Sequence, residues 1–179
     1  MFGGRGGAVA LACLALVGPS LVWAPAGQAH PVAHSEGVRC TGSSTSTYDP
    51  PLNLTPRATR VHTRAEYECG IAPGRIVAAT STLEGTSPTA SCIALGSPRL
   101  TETVRYADGT RSEIVYEGGT TVRVAGVLVV LMSGRVVEGQ GEGQAARRIV
   151  PALPAQLPTR CLTSGVTGSN GVALLEIGR

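Results

Sequence analysis

Residues 59–69 alternate without a break. Thr59, Val61, Thr63, Ala65, Tyr67 and Cys69 fall on one side, and Arg60, His62, Arg64, Glu66 and Glu68 on the other. A period of two over so many residues specifies a β-strand with one face buried and one in water. The preceding stretch 40–48 carries the same pattern, with Cys40, Gly42, Ser44, Ser46 and Tyr48 on one face. Between the two lies Pro50-Pro51-Leu52-Asn53-Leu54-Thr55-Pro56, whose prolines donate nothing to a ladder and mark a loop.

The rest of the chain continues in this manner, with no helical stripe. Strands are expected at 75–83, 89–95, 120–124, 127–137, 144–150 and 172–177, with a hairpin over 100–117 turning on Asp108-Gly109. Asp-Gly favours a type I′ turn, whose central residues need φ > 0. Charged and apolar residues mix on both sides of this hairpin, so its inner face is not assigned. Val127-Leu128-Val129-Val130-Leu131-Met132 is apolar in both phases, as expected of a central strand covered on both sides. Polar loops are expected at 49–58, 84–88, 138–144 and 164–171. About nine short strands separated by turn residues predict an all-β fold. An antiparallel β-sandwich, immunoglobulin-like, or a related barrel fits this pattern.

Residues 1–29 read as a secretory signal peptide: Arg5 near the start, an apolar run over 8–17 extending past Gly18-Pro19 to Trp23, then small residues. The run is too short and too broken for a transmembrane span. Ala24-Pro25-Ala26 and Gly27-Gln28-Ala29 both satisfy the small-x-small rule for cleavage, and the second is preferred. Ala10-Leu11-Ala12-Cys13 makes a poor lipobox. Residues 30–37 then form a flexible N-terminal arm, and 38–179 a single domain. A secreted, extracellular protein is expected.

Beyond the leader there is no Trp, Phe or Lys, and the aromatic residues are Tyr48, Tyr67, Tyr106 and Tyr116. So few large apolar side chains call for another source of stability, and the four remaining cysteines supply it. Four cysteines allow three pairings, and spacing alone does not choose. If 40–48 and 59–69 are antiparallel neighbours about a loop centred near Leu54, then Tyr48 faces Val61, Ser46 faces Thr63, Gly42 faces Tyr67, and Cys40 faces Cys69. Opposed strand residues lie within disulfide reach. Cys92 and Cys161 form the second bridge by default.

These pieces resemble a group of small exported actinobacterial proteins with four similarly spaced cysteines and an all-β pattern. The resemblance rests on Cys40, Cys69, Cys92 and Cys161, the loop from Leu52 to Pro56, Tyr106-Ala107-Asp108-Gly109-Thr110-Arg111-Ser112, and Cys161-Leu162-Thr163-Ser164-Gly165-Val166. It spans nearly the whole chain after the leader. Many of the group look to carry Trp near the Asp-Gly turn, where this chain has Tyr106. The resemblance implies a fold and an exported address, and nothing catalytic.

The net charge of +3 is small and dispersed, which excludes a nucleic-acid binder with a clustered basic face. No Gly-x-Ser-x-Gly elbow is present, and the Gly139–Gly143 stretch lacks the Lys and helix of a phosphate loop. Glu66 and Glu68 read as a solvated outer face, and His62 as a surface residue. A non-catalytic protein without cofactor is therefore expected, acting by protein contact or as an envelope-associated module through open sheet edges and long loops. The alternative is an exported copper protein. Cleavage after Ala29 would expose the amine and imidazole of His30, a chelating pair suited to Cu(II), with His34, or His62 if the arm folds back, as a further nitrogen.

Overall fold

In the computed structural model the described residues are 37–96, 98–124, 127–152 and 158–178. The expected signal peptide with its two candidate cleavage sites, most of the expected arm, His30 and His34 lie outside them. The chain forms β1 (Val38–Leu52), β2 (Arg57–Ala72), β3 (Arg75–Ser91), β4 (Ala94–Gly96), β5 (Arg99–Tyr106), β6 (Arg111–Val124), β7 (Val127–Gly139), β8 (Ala145–Ala152) and β9 (Val166–Ile177), with a 3₁₀ turn at Pro158–Leu162.

All pairings are antiparallel, and the long strands neighbour one another in chain order. β2 pairs with both β1 and β3, and β9 returns to β1 through Cys40↔Leu175 and Ser46↔Ser169. The result is a closed, eight-stranded up-and-down barrel, to which β4 adds a short ninth strand through Ala90↔Leu95. The expected all-β, antiparallel, nine-strand chain is present, in the barrel form and not as two facing sheets. Closure follows from the β9–β1 ladder, which satisfies the backbone groups that a sandwich leaves at its edges. Strand addition to an open edge thereby loses its main sites among the described residues.

The β1–β2 register matches the sequence expectation residue for residue: Tyr48↔Val61, Ser46↔Thr63, Gly42↔Tyr67 and Cys40↔Cys69. Both disulfides form, Cys40–Cys69 and Cys92–Cys161. Other expectations are corrected. Residues 84–88 are not a loop, because β3 runs through them and pairs with β2 on one side. Residues 89–91 are the end of that strand, and only 94–96 form a separate one. Likewise 111–124 is a single strand with a register shift between Tyr116 and Gly118, and β9 already begins at Val166. Polar residues at these places suggested loops, but a barrel strand keeps one face in water and tolerates them. The same geometry uncovers β7: Met132 and Val136 are buried, whereas Val137 on the opposite phase is exposed. The hairpin does turn at Asp108-Gly109, through a tight turn in which only Gly109 has positive φ (86°) and Tyr106 N–H donates to Thr110 O at 2.9 Å. That is a type I turn with a glycine bulge, not type I′.

Inward residues form layers along the barrel. At the end holding the β2–β3, β5–β6 and β7–β8 turns, Val38, Cys40, Cys69, Val104, Val136, Leu175 and Ile177 pack as an apolar plug. Above the plug sit Tyr67 and Tyr116, each opposite a glycine, Gly42 and Gly134 respectively. A Cβ at Gly42 would overlap the Glu66 carbonyl and lie 2.8 Å from Tyr67 Cα, and one at Gly134 would overlap the Val115 carbonyl and lie 2.9 Å from Tyr116 Cα. These two glycines let neighbouring strands close sharply beside the tyrosine rings.

Candidate functional site

In β5 the residues Leu100, Glu102, Val104 and Tyr106 point inward, and in β8 Ala146 and Arg148 do. The alternation therefore carries one acid and one base into the lumen. Glu102 is 0% exposed and Arg148 1%. Burying both charges costs several kcal/mol per ion unless they pair and their remaining polar atoms find partners.

Glu102 meets that requirement in full. Its Oε1 accepts from Arg148 Nη1, from Ser81 Oγ at 2.7 Å and from Tyr67 OH at 3.4 Å, and its Oε2 accepts from Tyr116 OH at 2.7 Å. Five strands of the barrel (β2, β3, β5, β6 and β8) thus converge on one carboxylate. The Arg148 guanidinium carbon also lies 5.8 Å from the Tyr67 ring centroid, within cation–π range. Burial, reinforced by the Glu102 charge, pushes the Tyr67 and Tyr116 phenols up from their ordinary pKa, so both stay protonated donors. For Arg148 burial disfavours the charge, but Glu102, aided by the two phenols, outweighs it and raises the guanidinium pKa.

Arg148 is not satisfied in the same way. Its Nη2 is buried and has no acceptor among the described residues. A buried donor of this kind costs about 1–3 kcal/mol, more for a charged group. Arg148 also lines a cavity of about 100 Å³ at the opposite end of the barrel from the plug. Val61, Leu83, Leu100, Met132 and Val150 supply its apolar walls. The hydroxyls there are already paired: Ser46 Oγ with Thr63 Oγ1 at 2.8 Å, and Tyr48 OH with Ser169 Oγ at 2.8 Å. Of the lining side chains, Arg148 is the one with a fully buried polar atom, Nη2, that has no partner among the described residues.

The cavity's outer end is braced. Cys92 lines it, is bonded to Cys161 in the 3₁₀ turn, and donates its backbone N–H to Asn53 O at 2.9 Å. The long-range disulfide therefore links the β3–β4 turn, the β8–β9 connection and the β1–β2 loop around the cavity.

Comparison with protein-family models, curated proteins and solved structures finds no match to this chain.

Of the residues singled out in the sequence, Cys92 lines the cavity and Tyr48 and Tyr67 face inward as expected, whereas the candidate ionisable and glycine-rich positions lie elsewhere. His62 is on the outer face with Nδ1 3.0 Å from Glu84 Oε1, and Glu66 and Glu68 are exposed beside it. The Gly139–Gly143 stretch is a turn, with positive φ at Gly139, Gly141 and Gly143. Among the described residues no three His, Cys, Asp or Glu side chains gather into a metal-binding group. Glu102, Arg148, Ser81 and Tyr116 were missed. The signal was present: a lone Glu in the phase of Leu100, Val104 and Tyr106, and a lone Arg in the phase of Ala146 and Val150.

Proposed function

We propose that this chain is an exported, non-catalytic binding protein that takes a small molecule into the open half of its barrel. The observation that carries the reading is Arg148: a buried guanidinium that lines a largely apolar cavity and has one nitrogen without an acceptor among the described residues. An eight-stranded barrel is either filled by side chains or wide enough for one small ligand. Here one half is filled and the other is not. A cavity of about 100 Å³ compares with the roughly 150 Å³ cavities that accept a single benzene ring, which sets the ligand's scale. Catalysis is disfavoured because Glu102, the only buried carboxylate among the described residues, has both oxygens engaged by four donors. Two disulfides fit an oxidising, extracellular setting, and no helix among the described residues is long and apolar enough to cross a membrane.

A second reading, contact with a protein or envelope partner, is supported by exposed apolar side chains at the cavity end. Leu54, Ile93, Val124 and Leu162 are exposed there, two of them adjacent to the disulfide cysteines.

Methyl-resolved NMR tests the first reading. Titration with ring-sized compounds (cyclohexanone, methylcyclohexane and cyclohexanecarboxylate) is expected to shift Leu83, Leu100, Met132 and Val150 saturably. If none of the three does so, or if only outer-face residues respond, the lumen is not a binding site.

A further inference from the structure

We infer that the lumen selects an uncharged ligand with a carbonyl oxygen on a compact apolar body, the oxygen accepting from Arg148 Nη2. This rests on the lumen-binding reading and deepens it by naming the ligand's chemistry.

The argument is one of charge and of hydrogen-bonding capacity. Within the lumen Arg148 contributes one positive charge and Glu102 one negative, held together as a pair. Tyr67 and Tyr116 remain protonated, and the other residues lining the cavity add hydroxyl, thioether, disulfide and hydrocarbon groups, none of them charged. The site is therefore neutral before a ligand arrives. A carboxylate would find its attractive cation already neutralised and would bring an uncompensated charge out of water, at high cost. An ammonium group would meet a donor, not an acceptor. A hydrocarbon would match Val61, Leu83, Leu100 and Val150 but leave Nη2 without a partner. A carbonyl oxygen supplies an acceptor and nothing else. An alcohol would also bring a proton that needs an acceptor of its own, which a carbonyl does not.

The test ranks three probes of similar shape against the disulfide-intact protein near neutral pH: cyclohexanone, methylcyclohexane and cyclohexanecarboxylate. Cyclohexanone is expected to bind tighter than either of the others by roughly tenfold or more, as befits a hydrogen bond from a charged donor. The guanidinium ¹⁵N–¹H signals of Arg148 are expected to move with cyclohexanone and to stay in place with methylcyclohexane. In a Glu102→Gln/Arg148→Met variant, which removes both charges and keeps an acceptor for the tyrosines, the preference for cyclohexanone should disappear. If that variant does not fold, the Arg148 signals still decide. Equal or tighter binding of the carboxylate overturns the charge argument. Equal binding of the hydrocarbon, or a silent guanidinium, overturns the role of Nη2. Either result leaves lumen binding standing, whereas no binding of any probe removes both readings together.

Discussion

Arg148 on β8 and Glu102 on β5 meet across the lumen through Nη1 and Oε1, both withdrawn from solvent. The pair sits between an apolar plug and a cavity, and the two charges have unequal surroundings. Every Glu102 oxygen is occupied, while Arg148 keeps one nitrogen without an acceptor. A purely structural ion pair gains nothing from that asymmetry, since the unmet donor only subtracts from stability. On the lumen-binding proposal, that asymmetry would give a ligand a polar anchor.

Removing one member of the pair leaves the other buried and unpaired. Arg148→Met alone is expected to destabilise the barrel by about 3–5 kcal/mol. Adding Glu102→Gln should recover part of the loss, because the remaining charge goes too. Chemical denaturation of the two single variants and the double variant measures this. A double variant as unstable as the sum of the singles would show that the charges are not coupled.

The two tyrosines differ in what they leave behind. Among the described residues Tyr116 is the only partner of Glu102 Oε2, at 2.7 Å, whereas Tyr67 shares Oε1 with Ser81 and Arg148 and sits at 3.4 Å. Tyr116→Phe should therefore cost about 1–3 kcal/mol by stranding a carboxylate oxygen, and Tyr67→Phe clearly less. Equal losses in urea unfolding would contradict this assignment of partners.

The β1–β2 hairpin was legible in the sequence because its period of two is unbroken and prolines mark the region of its loop, although Pro50, Pro51 and Leu52 still belong to β1 and only residues 53–56 connect the strands. That was enough to set the register and hence to choose the Cys40–Cys69 bridge. Closure was not legible. The ladder between β1 and β9 joins residues such as Cys40 and Leu175, far apart in the chain, and its first half, Val166 to Gly171, is built of residues that read as a turn. The site stayed hidden for a related reason. Glu102 and Arg148 each break an apolar face when read alone, and only the closed barrel brings them together to cancel. The sequence does not assign the inner face of the 100–117 hairpin because charged residues stand on both sides, Glu102 in one phase and Arg105, Arg111, Glu113 and Glu117 in the other.

Alkaline pH should weaken the fold through its buried phenols. Burial raises the pKa of Tyr67, Tyr106 and Tyr116 in the folded state above their unfolded value of about 10. The stability tied to these groups is fully present below that value. Above it the unfolded chain releases protons that the folded barrel retains, so stability falls as pH rises. With all three engaged the slope approaches about 4 kcal/mol per pH unit. Denaturation followed from near-neutral pH upward should show this fall setting in above about pH 10. Phenolate absorbance from these three residues should rise together with unfolding; a rise while the barrel is still folded would refute their burial as donors.

The two disulfides should separate by both size and place of effect. Cys40–Cys69 spans 29 residues and Cys92–Cys161 spans 69, which in the chain-entropy model correspond to about 3.6 and about 4.4 kcal/mol. The first joins strands that are already paired in register, so its loss as a Cys→Ser pair should lower global stability and leave local exchange in β3 and β4 unchanged. The second holds three connections around the cavity. Replacing Cys92 and Cys161 by Ser should in addition speed amide exchange at Cys92 N–H, which is bonded to Asn53 O, and at Leu95 N–H, which is bonded to Thr121 Oγ1. Hydrogen exchange on the two double variants distinguishes them. Equal protection at both positions in both proteins would mean that the strands alone hold the cavity end together, and the long-range bridge would then act only on the unfolded chain.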